Sequence, residues 1–420
     1  SLDRILNKAL TDWEAIYGTG AAETTLALRF AGIIKRAYEQ TGERVVILVD
    51  EYDKPMLQAI NNEALQAHFR DTLKPFYGVL KTMDGCIRFG MLTGVTKFGK
   101  VSVFSDLNNL DDISMWDEYV GLCGISEQEL YDYLTPEMHE FAAAQQMDYE
   151  KFCSELRECY DGYHFVEDSI GIYNPFSLLN AFKRNKFGSY WFETGTPTYL
   201  VELLKKHHYN LERMTHEETS ADVLNSIDSS STDPIPVIYQ SGYLTIKEYD
   251  KRFKVYRLGF PNDEVKYGFL NFITPFYTSL DESKAPFYIG QFVKELRAGD
   301  VEAFLTRLRA FFADFPYELN DKTERHYQVV FYLVFKLLGQ FINAEVQSAL
   351  GRADAVVKTA NAVYVFEFKL NGTAEEALAQ INNRGYLIPY TTNGCRIVKI
   401  GAEFSKEERN LSRWLVEEEG

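Results

Sequence analysis

Three residues near the C-terminal end have the types and spacing of a hydrolytic metal site. Asp354 follows Gly351-Arg352-Ala353, and a Glu-x-Lys, Glu367 and Lys369, lies inside the apolar run Val365-Phe-Glu-Phe-Lys-Leu370. Two strands joined by a tight turn would bring Asp354, Glu367 and Lys369 to one point. Two carboxylates at one point repel unless a cation sits between them. A hard divalent ion, Mg²⁺ or Mn²⁺, takes oxygen ligands and fits such a pair. A lysine beside it could steer a water, which is the minimal apparatus for phosphodiester hydrolysis. Period-2 alternation puts Val365, Glu367 and Lys369 on one face and Phe366, Phe368 and Leu370 on the other. A buried face holding Glu and Lys is costly unless the two pair or bind something. The plain alternative is a salt bridge on a half-exposed strand. Glu345 is a candidate third metal carboxylate, and Gln380, on the helix that follows, a candidate to orient a phosphate or water. Either one alone reads as an ordinary surface residue.

A second constellation lies near the front. Val45-Val-Ile-Leu-Val49 is an apolar, mostly β-branched run followed by Asp50-Glu51. In P-loop ATPases such a strand carries the Asp of the Mg²⁺ shell and a Glu that polarises water. The competing reading is a buried strand ending in two solvated acids. The partner loop, G-x-x-x-x-G-K-[ST], is missing. Gly94-Val-Thr-Lys-Phe-Gly99-Lys100-Val101 has Val where the hydroxyl belongs and follows the strand instead of preceding it. Gly18-Thr-Gly20 has no lysine. The expectation is a chain without its upstream segment, or a degenerate ATPase, that does not hydrolyse ATP by itself. ATP enters as a cofactor only if the phosphate-binding loop is supplied.

The other chemistry-bearing residues are dispersed. Seven histidines form no Ser-His-Asp pattern, and five cysteines form no C-x-x-C pair or zinc spacing. Free thiols point to a reducing cytoplasm. No secretory leader is legible. The most apolar helix candidate, Val329 to Ile342, is too short to span a bilayer. The net charge of −17 opposes a broad nucleic-acid surface. From Arg325 onward acids and bases balance, so that block is permissive for nucleic acid.

These residues need elements to hold them. The first third alternates: a helix over Leu26–Tyr38, a strand over Val45–Val49 buried on both faces, a helix over Glu63–Leu80, and a strand over Ile87–Val95. From Ser126 to Tyr209 the pattern is helical and dense in aromatics, read first as core and only secondarily as base-stacking platforms. Thr215 to Asp233 reads as a polar loop, and Ile238 to Phe260 as a hairpin. The last block reads as helix His326–Ile342, two strands, helix Ala374–Asn383 and strand Cys395–Ile400. The fold class is α/β: an incomplete P-loop-type parallel sheet layer over 1–125, a mainly helical middle region with a β-hairpin over 126–290, and a restriction-endonuclease-like α/β core over 291–420.

With these residues in view the chain resembles a bacterial two-part family, an AAA-ATPase-like region joined to a C-terminal PD-(D/E)XK nuclease-superfamily domain. The matching blocks are Leu48-Val-Asp-Glu-Tyr-Asp-Lys-Pro55, Leu92-Thr-Gly-Val95, Val103-Phe-Ser-Asp-Leu-Asn-Asn109, Tyr160-Asp-Gly-Tyr-His-Phe165, Ile172-Tyr-Asn-Pro-Phe-Ser177, Tyr190-Trp191, Ser241-Gly-Tyr-Leu244, Gly351-Arg-Ala-Asp354 and Phe366-Glu-Phe-Lys369. The resemblance implies that Asp354, Glu367 and Lys369 take the nuclease positions. Glu345 becomes the acid ahead of the first core strand, and Gln380 and Tyr386 the Gln…Tyr region after the core. Asp50 and Glu51 resemble Walker B, and Thr93 and Lys100 lie in a sensor-like segment. The implied function is a metal-dependent nuclease coupled to an ATPase-like module. The resemblance does not supply the substrate; the partner expected is nucleic acid, DNA ahead of RNA, with self-association left open. The alternative is a non-catalytic regulatory or interaction protein that retains both folds.

Overall fold

The computed structural model describes residues 2–59, 62–95, 107, 109–191, 200, 204, 217–224, 233–277, 285–313, 324–339, 343–346, 354–370, 372–383, 396–405, 407 and 410–419. Helices α1 (Leu2–Tyr17) and α2 (Leu26–Thr41) precede strand β1 (Val45–Val49). Thr25 caps α2 by accepting the Leu28 N–H, and Gly42 ends it in the left-handed conformation. Helices α3 (Lys54–Gln58) and α4 (Glu63–Thr82) lead to β2 (Ile87–Leu92), which pairs with β1 in parallel. Phe30, Ile33, Ile34, Leu73, Phe76 and Leu80 form one core with Ile47 of the sheet.

Burial of β1 on both faces is corrected. Val46 and Leu48 are 53% and 71% exposed, and Phe89 of β2 is exposed beside them. Only these two strands pair in this sheet among the described residues. The helices cover one side, so the alternate residues of an apolar strand are left in solvent.

The middle region starts with β3 (Ile125–Ser126) and α5 (Glu127–Ala144), whose first turn is closed by a Ser126–Glu129 capping box. Helix α6 (Tyr149–Tyr160), β4 (Ile172–Tyr173) and α7 (Pro175–Arg184) follow. The aromatics are core, as their density suggested: Tyr160, Tyr163, Tyr173 and Tyr190 are buried. Tyr160 Oη donates to the Gly188 carbonyl at 3.0 Å. The Trp191 ring packs tilted against Tyr243, centroids 4.9 Å apart, and its backbone N–H donates to Glu264 at 2.9 Å.

The 215–233 stretch is not wholly loop. It contains β5 (Glu217–Ser220) and the short α8 (Ala221–Leu224). Residues 238–240 belong to α9 (Ile235–Gln240), so the hairpin is only β6 (Thr245–Asp250) and β7 (Val255–Gly259), with β5 as its third strand. Pairing of β5 to the free edge of β7 overrides the polar composition that suggested a loop.

Helices α10 (Asp263–Tyr277), α11 (Ala285–Ala298), α12 (Val301–Ala313) and α13 (Glu324–Leu338) precede the C-terminal sheet. Its strands are β8 (Asn343–Val346), β9 (Ala355–Lys358), β10 (Ala362–Lys369), β11 (Arg396–Ser405) and β12 (Asn410–Glu419), and α14 (Ala374–Asn383) lies between β10 and β11. The spatial order is 12-11-10-9-8, with β10 parallel to β11 and every other pair antiparallel. β10 is central, and its alternation serves two layers. Val363 and Val365 pack with Ile381 and Leu378 of α14. Phe366 packs on Phe304 of α12 and Phe335 of α13, ring centroids at 5.5 and 5.1 Å.

Tyr364 ties this sheet to α11, its hydroxyl donating to the Leu296 carbonyl at 2.7 Å. Tyr364→Phe removes this donor and leaves the carbonyl with the Gly299 N–H, at 3.1 Å, alone. It should lower unfolding stability by about 1 kcal/mol in urea titrations.

Candidate active site

The β9–β10 turn does what the sequence spacing requires. Ala355 pairs with Phe366, so Asp354 stands one step beyond, beside Glu367. Its Oδ2 accepts the Phe368 N–H at 2.8 Å, which fixes the Asp354 carboxylate on the central strand. Glu367 is buried, at 3% exposure, and projects toward α14. Its Oε1 accepts from Lys369 Nζ at 3.3 Å and from Gln380 Nε2. Gln380 Oε1 in turn accepts from Lys369 Nζ at 2.5 Å. Glu367, Lys369 and Gln380 therefore form a closed triangle, with Asp354 on its flank.

The other Glu367 oxygen, Oε2, is buried and has no hydrogen-bond partner among the described residues. Burial raises the Glu367 carboxyl to about 7, and the negative charge of Asp354 adds to the rise. Lys369 acts in the opposite sense. A buried carboxylate oxygen without a hydrogen-bond donor, beside a second carboxylate, is what a cation would relieve.

Glu345 lies in β8 with its backbone opposite Val356. Among the described residues no three His, Cys, Asp or Glu side chains come together as a metal cluster. Tyr386 and Lys100 lie outside the described residues, as do Gly351, Arg352 and Ala353. Sequence reasoning missed Lys399 of β11. It is buried opposite Val365 and paired with Glu417 at 3.0 Å. Its only signal is a lysine inside Arg396-Ile-Val-Lys-Ile-Gly401.

At the front, Asp50 and Glu51 diverge. Thr93 Oγ1 donates to Asp50 Oδ1 at 2.6 Å, linking the ends of β1 and β2. Glu51 sits at φ 52° and pairs with Lys54 at 2.6 Å, so its carboxylate is engaged locally. The buried acid here is Asp53, whose Oδ1 accepts the Val95 N–H at 3.2 Å. Sequence reasoning passed over Asp53. Its signal is a second Asp three residues after the first.

A five-stranded mixed sheet with Asp and Glu-x-Lys on adjoining strands defines a PD-(D/E)XK nuclease-like core. Comparison with known families agrees: residues 322–414 match the PD-(D/E)XK nuclease superfamily, and residues 1–104 match a predicted AAA-ATPase. The whole chain is 35% identical to an uncharacterized protein in the vnfD 5′ region of Azotobacter chroococcum mcd 1, over 100% of this chain and 80% of that one. The chain belongs to that family, in which an AAA-ATPase-like region is joined to a PD-(D/E)XK domain. No solved structure matches it significantly. No helix among the described residues is long and apolar enough to cross a membrane.

Proposed function

We propose that this protein is a Mg²⁺- or Mn²⁺-dependent nuclease that hydrolyses nucleic-acid phosphodiesters, DNA in preference to RNA. The observation that carries this reading is the buried Glu367 beside the half-buried Asp354, with Glu367 Oε2 lacking a partner among the described residues and Lys369 and Gln380 on its other side. The donor set is all oxygen, which fits a hard divalent cation. Asp354 and Glu367 would hold it, with the Phe368 carbonyl and Glu345 as further candidates. When bound, the ion supplies Lewis acidity toward a phosphate oxygen and makes a water more acidic.

The protein's own residues do the rest. Asp354, held by the Phe368 N–H, keeps one ligand fixed on the central strand. Lys369 presents Nζ, through which it can orient an attacking water and offset the charge that grows on the phosphate. Gln380 holds Lys369 and Glu367 in register, so the ammonium need not reorganise during the reaction. The acidic balance of the chain makes binding depend on this site more than on a broad basic surface. The Asp50–Thr93 end of the first sheet is a nucleotide-responsive partner in this reading. ATP enters this reading only where the phosphate-binding loop is supplied.

The test is cleavage of labelled single- and double-stranded DNA and RNA with Mg²⁺ or Mn²⁺, alongside calorimetric Mn²⁺ binding. Wild type should bind and cleave, and Asp354→Ala should do neither. A folded wild type that binds no Mn²⁺ would sink the reading and favour a non-catalytic interaction protein.

A further inference from the structure

The residue directly beside Glu367 in the sheet is Gly401 of β11. A Cβ built on Gly401 would lie 2.5 Å from the Ala374 carbonyl oxygen and 2.6 Å from the Leu378 nitrogen, both backbone atoms of α14. It would also lie 3.0 Å from the Leu378 Cβ. Real Cβ atoms do not approach backbone so closely, and helix backbone cannot swing aside as a side-chain tip can. The helix rests on this strand at a spacing that only a hydrogen permits. Ala374 and Ala377, both fully buried, make the facing helix surface equally thin.

The same helix carries Gln380, whose amide reaches both Glu367 and Lys369. We infer that Gly401 is a positioning residue: by setting the distance of α14 from the sheet it sets the Gln380 clamp on Glu367 and Lys369. Gly401 touches neither a substrate nor a reacting atom, so its effect passes through the helix. A methyl at 401 lifts α14, and Gln380 withdraws from both partners before Asp354 or Glu367 moves, because those two are held on paired strands. The cleavage part of this inference rests on the nuclease reading. The spacing part does not.

The experiment is a double-mutant cycle on Gly401→Ala and Gln380→Ala, read out twice: by cleavage rate with Mg²⁺ and by urea unfolding in chelator. Gly401→Ala should slow cleavage ~10- to 100-fold, the scale of a displacement of about 1 Å at an active site. Mn²⁺ affinity should fall by less than cleavage does, since both metal carboxylates remain on their strands and only an outer-shell partner of Glu367 withdraws. In the double variant cleavage should be no slower than in Gln380→Ala alone, because a clamp already removed cannot be displaced. Leu378→Ala is the control. It strips packing from the same helix without lifting it, so it should cost stability and leave cleavage near wild type.

Multiplicative losses in both cycles would overturn the inference, and so would unchanged cleavage in Gly401→Ala. If Gly401→Ala does not fold, Ala377→Val lifts α14 from its own side and should reproduce the slow cleavage; full activity there would also overturn it. If wild type does not cleave at all, the nuclease reading fails. The urea cycle then still decides whether Gly401 and Gln380 are coupled.

Discussion

Replacing Lys369 by alanine is expected to lower nucleic-acid cleavage ~10²- to 10³-fold, the usual loss when one preorganised donor is removed from a developing anion. Divalent metal should still bind. Lys369 Nζ sits 3.3 Å from Glu367 Oε1, so its charge competes with a metal for that carboxylate. Removing it lessens the competition, and Mn²⁺ affinity at pH 8 should hold or rise. It also removes the group that pulls the Glu367 carboxyl down, so the pH at which metal begins to bind should move upward. Lys369→Arg should not restore the rate. A planar guanidinium cannot occupy the single point that Gln380 Oε1 and Glu367 Oε1 define for an ammonium. Parallel cleavage and calorimetry across pH 6–9 check this. Loss of metal binding in step with loss of cleavage would make Lys369 a structural cation only.

Asp354, Glu367 and Lys369 were legible because strands have an exact side-chain period. Once Val365-Phe-Glu-Phe-Lys-Leu370 is read as a strand and a turn precedes it, the meeting of Asp354 with the Glu-x-Lys follows from register alone. Gln380 was legible only as a residue on the next helix. Its place on both Glu367 and Lys369 depends on how close α14 comes to the sheet, and that closeness is fixed by Gly401, 21 positions further along the chain. Nothing local to Gly401 announces it. In sequence it is one more glycine in an apolar strand.

The same limit explains the misread elements. β5 looked like a linker because Glu217-Glu-Thr-Ser220 is polar, yet it is a strand because β7 has a free edge to pair with. β12 was not foreseen, since Glu417-Glu-Glu419 carries no strand pattern of its own; pairing with β11 holds it extended. Val46 and Leu48 were expected inside because parallel strands usually are, but burial is a property of neighbours that a strand's own residues do not record.

Glu367→Gln is expected to abolish metal-dependent cleavage while making the metal-free protein more stable above neutral pH. The physical reason is the cost of keeping this carboxylate ionised where it stands. Burial and the neighbouring Asp354 raise it from an ordinary 4.5 to about 7. The folded state therefore holds its proton more tightly than the unfolded state does. Below pH 4.5 the carboxyl is protonated in both states and costs nothing extra. Between pH 4.5 and 7 stability falls as pH rises, and above 7 the full penalty of about 3 kcal/mol is present. A neutral amide removes that penalty, keeps an oxygen for Gln380 and Lys369 to donate to, and gives up some of the attraction to Lys369.

The gain at pH 8 in chelator should therefore be about 1–3 kcal/mol, vanishing by pH 4.5. The strain is local to Glu367, so the measurement is hydrogen exchange of the β10 amides, the Phe368 N–H above all. Adding Mg²⁺ should protect those amides in wild type, since an ion that binds only the folded site stabilises it. The Gln variant should show no such response. The two proteins would then cross: the variant better protected without metal, wild type better protected with it. Equal protection in chelator across pH 4–8 would mean that Glu367 carries no electrostatic strain. The carboxylate pair would then lose its strongest claim to be built for a cation.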